Sequence, residues 1–83
     1  MKILYFAWVR QLTGKSEETL ALPTDVKTVG ALAAHLALRQ AGYARAFADP
    51  ARLRAAVNQE HAGFDAGVSD TDEVAFFPPV TGG

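Results

Sequence analysis

Eighty-three residues, 49% apolar and 20% charged, describe one small globular domain over 1–83, near the lower limit at which a core holds without staples. Eight basic against nine acidic side chains leave a net charge of −1 with no basic stripe to track phosphates, so nucleic acid is not an expected partner. The absence of cysteine excludes a disulfide framework, a Cys-ligated metal and a thiol nucleophile, and fits the cytoplasm.

The opening Met1–Val9 imitates a signal peptide, but Arg10 interrupts the apolar run and no small-x-small cleavage site follows. No stretch is long enough to cross a bilayer, so no membrane partner is expected. Residues 2–8 read instead as a strand, apolar on both parities and therefore covered on both faces. Arg10 to Gly14 predicts a single helical turn or loop stopped by glycine. Glu17 to Leu22 alternates weakly up to Pro23 and suits a second strand, paired to the first as a wide hairpin.

Thr28 is placed to cap a helix with apolar residues at Val29, Leu32, Ala33, Leu36 and Ala37. Gly42 is placed to end that helix, and Gly30 inside it is a mild cost. Residues 43–50 fit either a loop or a short extra helix stopped at Pro50. Leu53 to Val57 predicts a third strand, followed by a turn at Asn58-Gln59. Gly63 to Gly67 reads as a loop with room for a very short strand. Ser69-Asp70-Thr71-Asp72 is a polar turn, and Glu73 to Phe77 is the last strand. With no repeat and no linker, the fold class is α+β with a protruding tail over 78–83.

Several motifs imitate sites. Gly14-Lys15-Ser16 copies the end of a phosphate-binding loop, but Val9 stands where the first glycine belongs, so a turn with solvated charges is the better reading. Asp70-x-Asp72-Glu73 copies the start of a calcium loop, but Ala75 replaces the sixth-position glycine. His35 and His61 lack ligand spacing, so no metal site is expected. No set of side chains presents itself as a nucleophile with its base.

The carboxyl end is different. Phe76 and Phe77 lie on opposite faces of the last strand, one available to the core and one as an exposed anchor. Pro78-Pro79 cannot extend a sheet and favours a stiff, extended exit. The six residues after Phe77 reach at most roughly 20 Å. Gly82-Gly83 gives the chain its smallest cross-section at the very end, which a narrow channel in another protein could admit. A frayed terminus is the plain alternative.

Ala55-Ala56-Val57-Asn58-Gln59, then Ser69 through Gly83 with Glu73-Val74-Ala75-Phe76-Phe77-Pro78-Pro79-Val80-Thr81-Gly82-Gly83, closely resembles the family of molybdopterin synthase small subunits. Lys2-Ile3-Leu4-Tyr5-Phe6-Ala7 with Val9-Arg10 matches it too. The resemblance implies a ubiquitin-like β-grasp fold: a mixed sheet packed on one main helix, first and last strands central. It also implies a sulfur carrier. A ubiquitin-activating-like adenylyltransferase would consume ATP to adenylate Gly83, a sulfur donor protein would convert it to a thiocarboxylate, and no cofactor would be tightly bound. The tail would then enter the large synthase subunit, in a heterotetramer, and pass sulfur to cyclic pyranopterin monophosphate. That carry-over places Val80, Thr81 and Gly82 with Pro78 and Pro79 along the partner's channel, Phe77 as anchor and Arg10 as a holder of tail or partner. The chemistry agrees. A carboxylate is a poor acyl donor until adenylated, and a thioacid is anionic at neutral pH, so this chain need supply no base. Its active-site side chains would belong to the large subunit, which makes the chain a co-substrate as much as an enzyme.

The family's pattern is broken at Thr71, where glycine is usual, at Gly67-Val68, and at His61-Ala62, a more apolar pair elsewhere. The last change puts the short fourth strand in question. Two other readings stay open: a β-grasp carrier for thiazole synthesis, tRNA thiolation or protein modification, and an interaction module whose tail does no chemistry.

Overall fold

The computed structural model describes residues 1–39 and 41–79. Strand β1 (Lys2–Tyr5) lies antiparallel to β2 (Glu17–Thr19) and parallel to β5 (Glu73–Phe77). On its other side β5 pairs antiparallel with β3 (Arg54–Val57), and β4 (Glu60–Ala62) forms the far edge. The order β2-β1-β5-β3-β4 puts the last strand in the middle and the first beside it, as the β-grasp topology requires.

The strand expected over residues 2–8 stops at Tyr5. Pairing with β5 ends at Tyr5↔Phe76, and the Phe6 amide closes on the Phe76 carbonyl at 3.1 Å. Ala7 then turns into the left-handed region (φ 53°), and the amides of Val9 and Arg10 bond back to the Phe6 carbonyl. What reads as the end of a strand and one helical turn is therefore one helix, α1 (Ala7–Thr13), which buries Val9 and Thr13 one turn apart. Gly14 ends it as expected, in the left-handed conformation (φ 78°) with its amide on the Arg10 carbonyl. Strand β2 is also shorter than its pattern: the Leu22 amide, two residues past Leu20, bonds the Asp70 side chain at 2.7 Å instead of a neighbouring strand.

Helix α2 (Val29–Ala37) carries the predicted apolar stripe, with Val29, Leu32, Ala33 and Leu36 buried, and the Thr28 hydroxyl accepts from the Ala31 amide at 3.1 Å. It ends at Leu38 in right-handed geometry without help from Gly42. Gly42 lies inside α3 (Ala41–Ala46), and a Cβ there would collide with the Leu12 carbonyl oxygen. Its purpose is a close crossing of α3 on α1, which a helix-stop reading cannot reveal. Pro50–Arg52 forms a 3-10 turn capped by the Asp49 side chain.

Asn58 and Gln59 make the predicted turn, both with positive φ (52° and 71°), as a two-residue hairpin of this hand demands. The short fourth strand forms at Glu60–Ala62 despite His61-Ala62, and residues 63–67 are loop with a single bridge, Thr28↔Gly67. The polar turn needs no glycine at Thr71, where φ is not positive. Its carboxylates are structural. Asp72 accepts from the Ser69 amide and from Asn58, and Asp70 accepts from Leu22 with the Met1 ammonium 3.6 Å away. Among the described residues no cluster of His, Asp and Glu could hold a metal ion, and no helix is long and apolar enough to cross a membrane.

The core fills the space between sheet and helices: Ile3, Tyr5, Val74, Phe76 and Ala55 from the strands meet Val9, Leu32, Leu36, Tyr43 and Phe47. Phe47 stacks edge-on against Phe76 at 4.9 Å and against Tyr5 at 6.3 Å.

Candidate functional site: the base of the tail

The alternation of β5 settles the two phenylalanines. Val74 and Phe76 face the helices, each with 0% exposure, while Glu73, Ala75 and Phe77 face outward and are half-buried. Register aligns Leu4, Ala75, Ala56 and His61 across that outer face. Small side chains at Ala75 and Ala56 let the Phe77 ring lie beside His61, edge to face at 5.5 Å. The result is a shallow apolar surface ending in Phe77, at the point where Pro78 and Pro79 lead the chain away.

Phe6 completes it. The residue is 48% exposed, and its backbone amide is bonded to the Phe76 carbonyl, so a second aromatic stands next to the tail's origin. Sequence reading missed it by extending the strand to residue 8. Apolar residues on both parities give no sign of where a strand breaks, and the left-handed Ala7 that exposes Phe6 leaves no compositional trace.

The predicted site residues divide into two groups. Phe77 is outward, Pro78 and Pro79 are half-buried, and Arg10 is exposed on α1, the helix that starts where β1 and β5 end together. Val80, Thr81, Gly82 and Gly83 lie outside the described residues.

A second feature without a sequence signal lies inside the domain. Glu18, on the edge strand, turns toward the core with its side chain 9% exposed. One carboxylate oxygen accepts from the hydroxyls of Tyr5 (2.7 Å) and Tyr43 (2.6 Å), and the other accepts from Arg39 (2.8 Å) and lies 3.5 Å from Lys15. Burial opposes its charge, but hydrogen bonds from Tyr43, Tyr5 and Arg39 outweigh burial and hold the carboxyl down at about 2. Burial and then the bond to Glu18 push both tyrosine hydroxyls above the ordinary phenol range. Tyr43, Tyr5, Phe47 and Phe76 then run ring to ring from Glu18 to the residue before Phe77. The partners lie 13, 25 and 21 residues from Glu18 in the chain, so no local pattern could announce the cluster.

Comparison with known proteins agrees with this arrangement. The profile of the ThiS family matches residues 3–83. The chain is 48% identical over 83 residues to the molybdopterin synthase sulfur carrier subunit of Escherichia coli K12, covering 100% of this chain and 99% of that one. It is 37% identical to the corresponding subunit of Haemophilus influenzae, with the same coverage. A putative molybdopterin converting factor subunit 1 from Pyrococcus furiosus superposes with a TM-score of 0.68 at 28% identity, over 95% of each chain. The chain belongs to the ThiS family, and within it stands with the molybdopterin synthase sulfur carrier subunits.

Proposed function

We propose that this chain is the sulfur-carrying small subunit of a molybdopterin synthase, with its chemistry confined to the carboxylate of Gly83. The observation that carries the reading is the 48% identity over 83 residues to a molybdopterin synthase sulfur carrier subunit, within a family match over residues 3–83. The geometry supports it. A rigid central strand delivers the tail, an outward Phe77 stands at its base, and the first tail residues are prolines with φ fixed near −65°. Such a tail loses less conformational freedom on entering a channel than a flexible one.

In this reading the Gly83 carboxylate attacks ATP on an adenylyltransferase, pyrophosphate leaves, and a sulfur donor displaces AMP to give a thiocarboxylate. The large subunit, paired with this chain in a heterotetramer, receives the tail and directs the sulfur to cyclic pyranopterin monophosphate. Phe77 docks on that subunit, and Val80 to Gly82 thread the channel. Proton transfers fall to the large subunit, since a thioacid is anionic at neutral pH and this chain need supply no base. The cytoplasm, where ATP and reduced sulfur donors coexist, is the proposed compartment.

Mass spectrometry of the chain after incubation with ATP, the adenylyltransferase and a sulfur donor tests this. One oxygen of the terminal carboxyl should be exchanged for sulfur. A chain returned unchanged, while still binding the large subunit, would make it an interaction module.

A further inference from the structure

We propose that the end of the domain from which the tail departs is an electrostatic docking surface, on which Arg52 and Arg54 receive an acidic patch of the large subunit. This deepens the reading above and rests on it. The register separates charge along the sheet. At one end lie the Lys2↔Glu73 pair, the β3–β4 hairpin with Glu60, and the turn carrying Asp70 and Asp72. At the other end β1 and β5 finish together, β3 begins with Arg54 opposite Phe77, and the 3-10 turn holding Arg52 leads into it. The chain's net charge of −1 conceals this asymmetry.

Both arginines are exposed, and among the described residues neither forms an ion pair. The carboxylate nearest in sequence, Asp49, serves as the cap of the 3-10 turn and accepts from the Ala51 amide at 3.0 Å. Glu17 is paired with Lys2, and Glu18 with Arg39 and Lys15. Both are also held in place. The Arg52 guanidinium lies 5.0 Å over the Trp8 ring, and Arg54 donates to the Leu53 carbonyl at 2.8 Å. Fixed cations without carboxylates lose little side-chain entropy on meeting an anionic surface, and they act over a Debye length before contact. Because Arg54 adjoins Phe77 on the outer face, this surface continues the apolar one, so steering would bring the anchor and the tail to the partner together.

The test is stopped-flow association of the full chain with the large subunit at about 20 and about 500 mM salt. The wild-type on-rate should fall ~10-fold or more with salt, as steered encounters do. The folded Arg52→Gln/Arg54→Gln double variant should associate several-fold more slowly at low salt with little change in off-rate. Arg52→Lys/Arg54→Lys, which keeps the charges and gives up the guanidinium contacts, should retain most of the on-rate. An on-rate indifferent to salt, or a Gln double variant as fast as wild type, would overturn the proposal. So would tight capture of a poly(U) oligonucleotide by the same arginines at physiological salt, which would assign them to nucleic acid. Failure of the wild-type chain to bind the large subunit at all would overturn the functional reading itself, a separate result.

Discussion

Truncating Phe76 and truncating Phe77 should produce opposite phenotypes, although the two residues are neighbours in the chain. Phe76 has no exposed surface and packs edge-on against Phe47 in the centre of the core. Phe76→Ala removes the transfer energy of a buried ring and leaves a cavity that the surrounding strands cannot close, about 3–5 kcal/mol in all. A domain of this size shifts by about 4–8 °C per kcal/mol, so the melting temperature should drop by more than about 12 °C. Phe77 faces outward opposite Arg54, and its ring meets His61 edge to face. Phe77→Ala should cost the fold about 1 kcal/mol or less, yet weaken binding to the large subunit by more than about 1 kcal/mol, roughly a factor of five. Circular dichroism melts give the first quantity and titration calorimetry with the large subunit the second. The reasoning fails if Phe77→Ala melts as low as Phe76→Ala, or if it binds as tightly as wild type.

Two further perturbations test features that only the structure displays. Glu18→Gln should destabilise the fold by about 1–2 kcal/mol at neutral pH, because Arg39 loses its partner and the two tyrosines keep a weaker acceptor, while solvent on the Arg39 side screens part of the loss. Glu18 sits at about 2 when folded against an ordinary 4.5, so its contribution is complete above about pH 4.5 and fades as pH falls toward 2. The gap in urea midpoint between wild type and variant should therefore close across that window, and a gap that stays constant would contradict the assigned cluster. Gly42→Ala should destabilise by about 1–3 kcal/mol, since its methyl group meets the Leu12 backbone and not a movable side chain. An alanine variant as stable as wild type would show that α1 and α3 cross less closely.

The sequence discloses those parts of the fold whose cause is local. The Thr28 cap and the stripe from Val29 to Leu36 define α2, Gly14 stops α1, and Asn58-Gln59 turns the hairpin, each from residues within a few positions. The alternation of Glu73 to Phe77 is enough to put Phe76 and Phe77 on opposite faces, and the family resemblance names Phe77 as the outward one, where the structure has it. What stayed hidden depends on distant partners. The start of α1 follows from β1 running out of register with β5, seventy residues away in the chain, which also exposes Phe6. Gly42 reads as a helix stop until α1 is seen pressed against it, and Glu18 reads as a solvated strand residue until Tyr5, Tyr43 and Arg39 gather around it. The placement of Arg52 and Arg54 beside Phe77 likewise needs the strand order.

The central claim is that a free carboxylate on Gly83, at a fixed reach from the sheet, is the reacting group. ATP–pyrophosphate exchange with the adenylyltransferase, run on wild type, on a chain with one alanine appended and on a chain lacking Gly83, tests it most directly. Extension moves the reacting carbon by up to about 3.6 Å and adds a methyl branch, and misplacement of about 1 Å already costs on the order of 100-fold in a positioned reaction. Wild type should therefore exchange, and both variants should fall to background while keeping the wild-type melting temperature and their affinity for the large subunit. Exchange at the wild-type rate by either variant, with its altered end verified intact by mass spectrometry, would contradict the account.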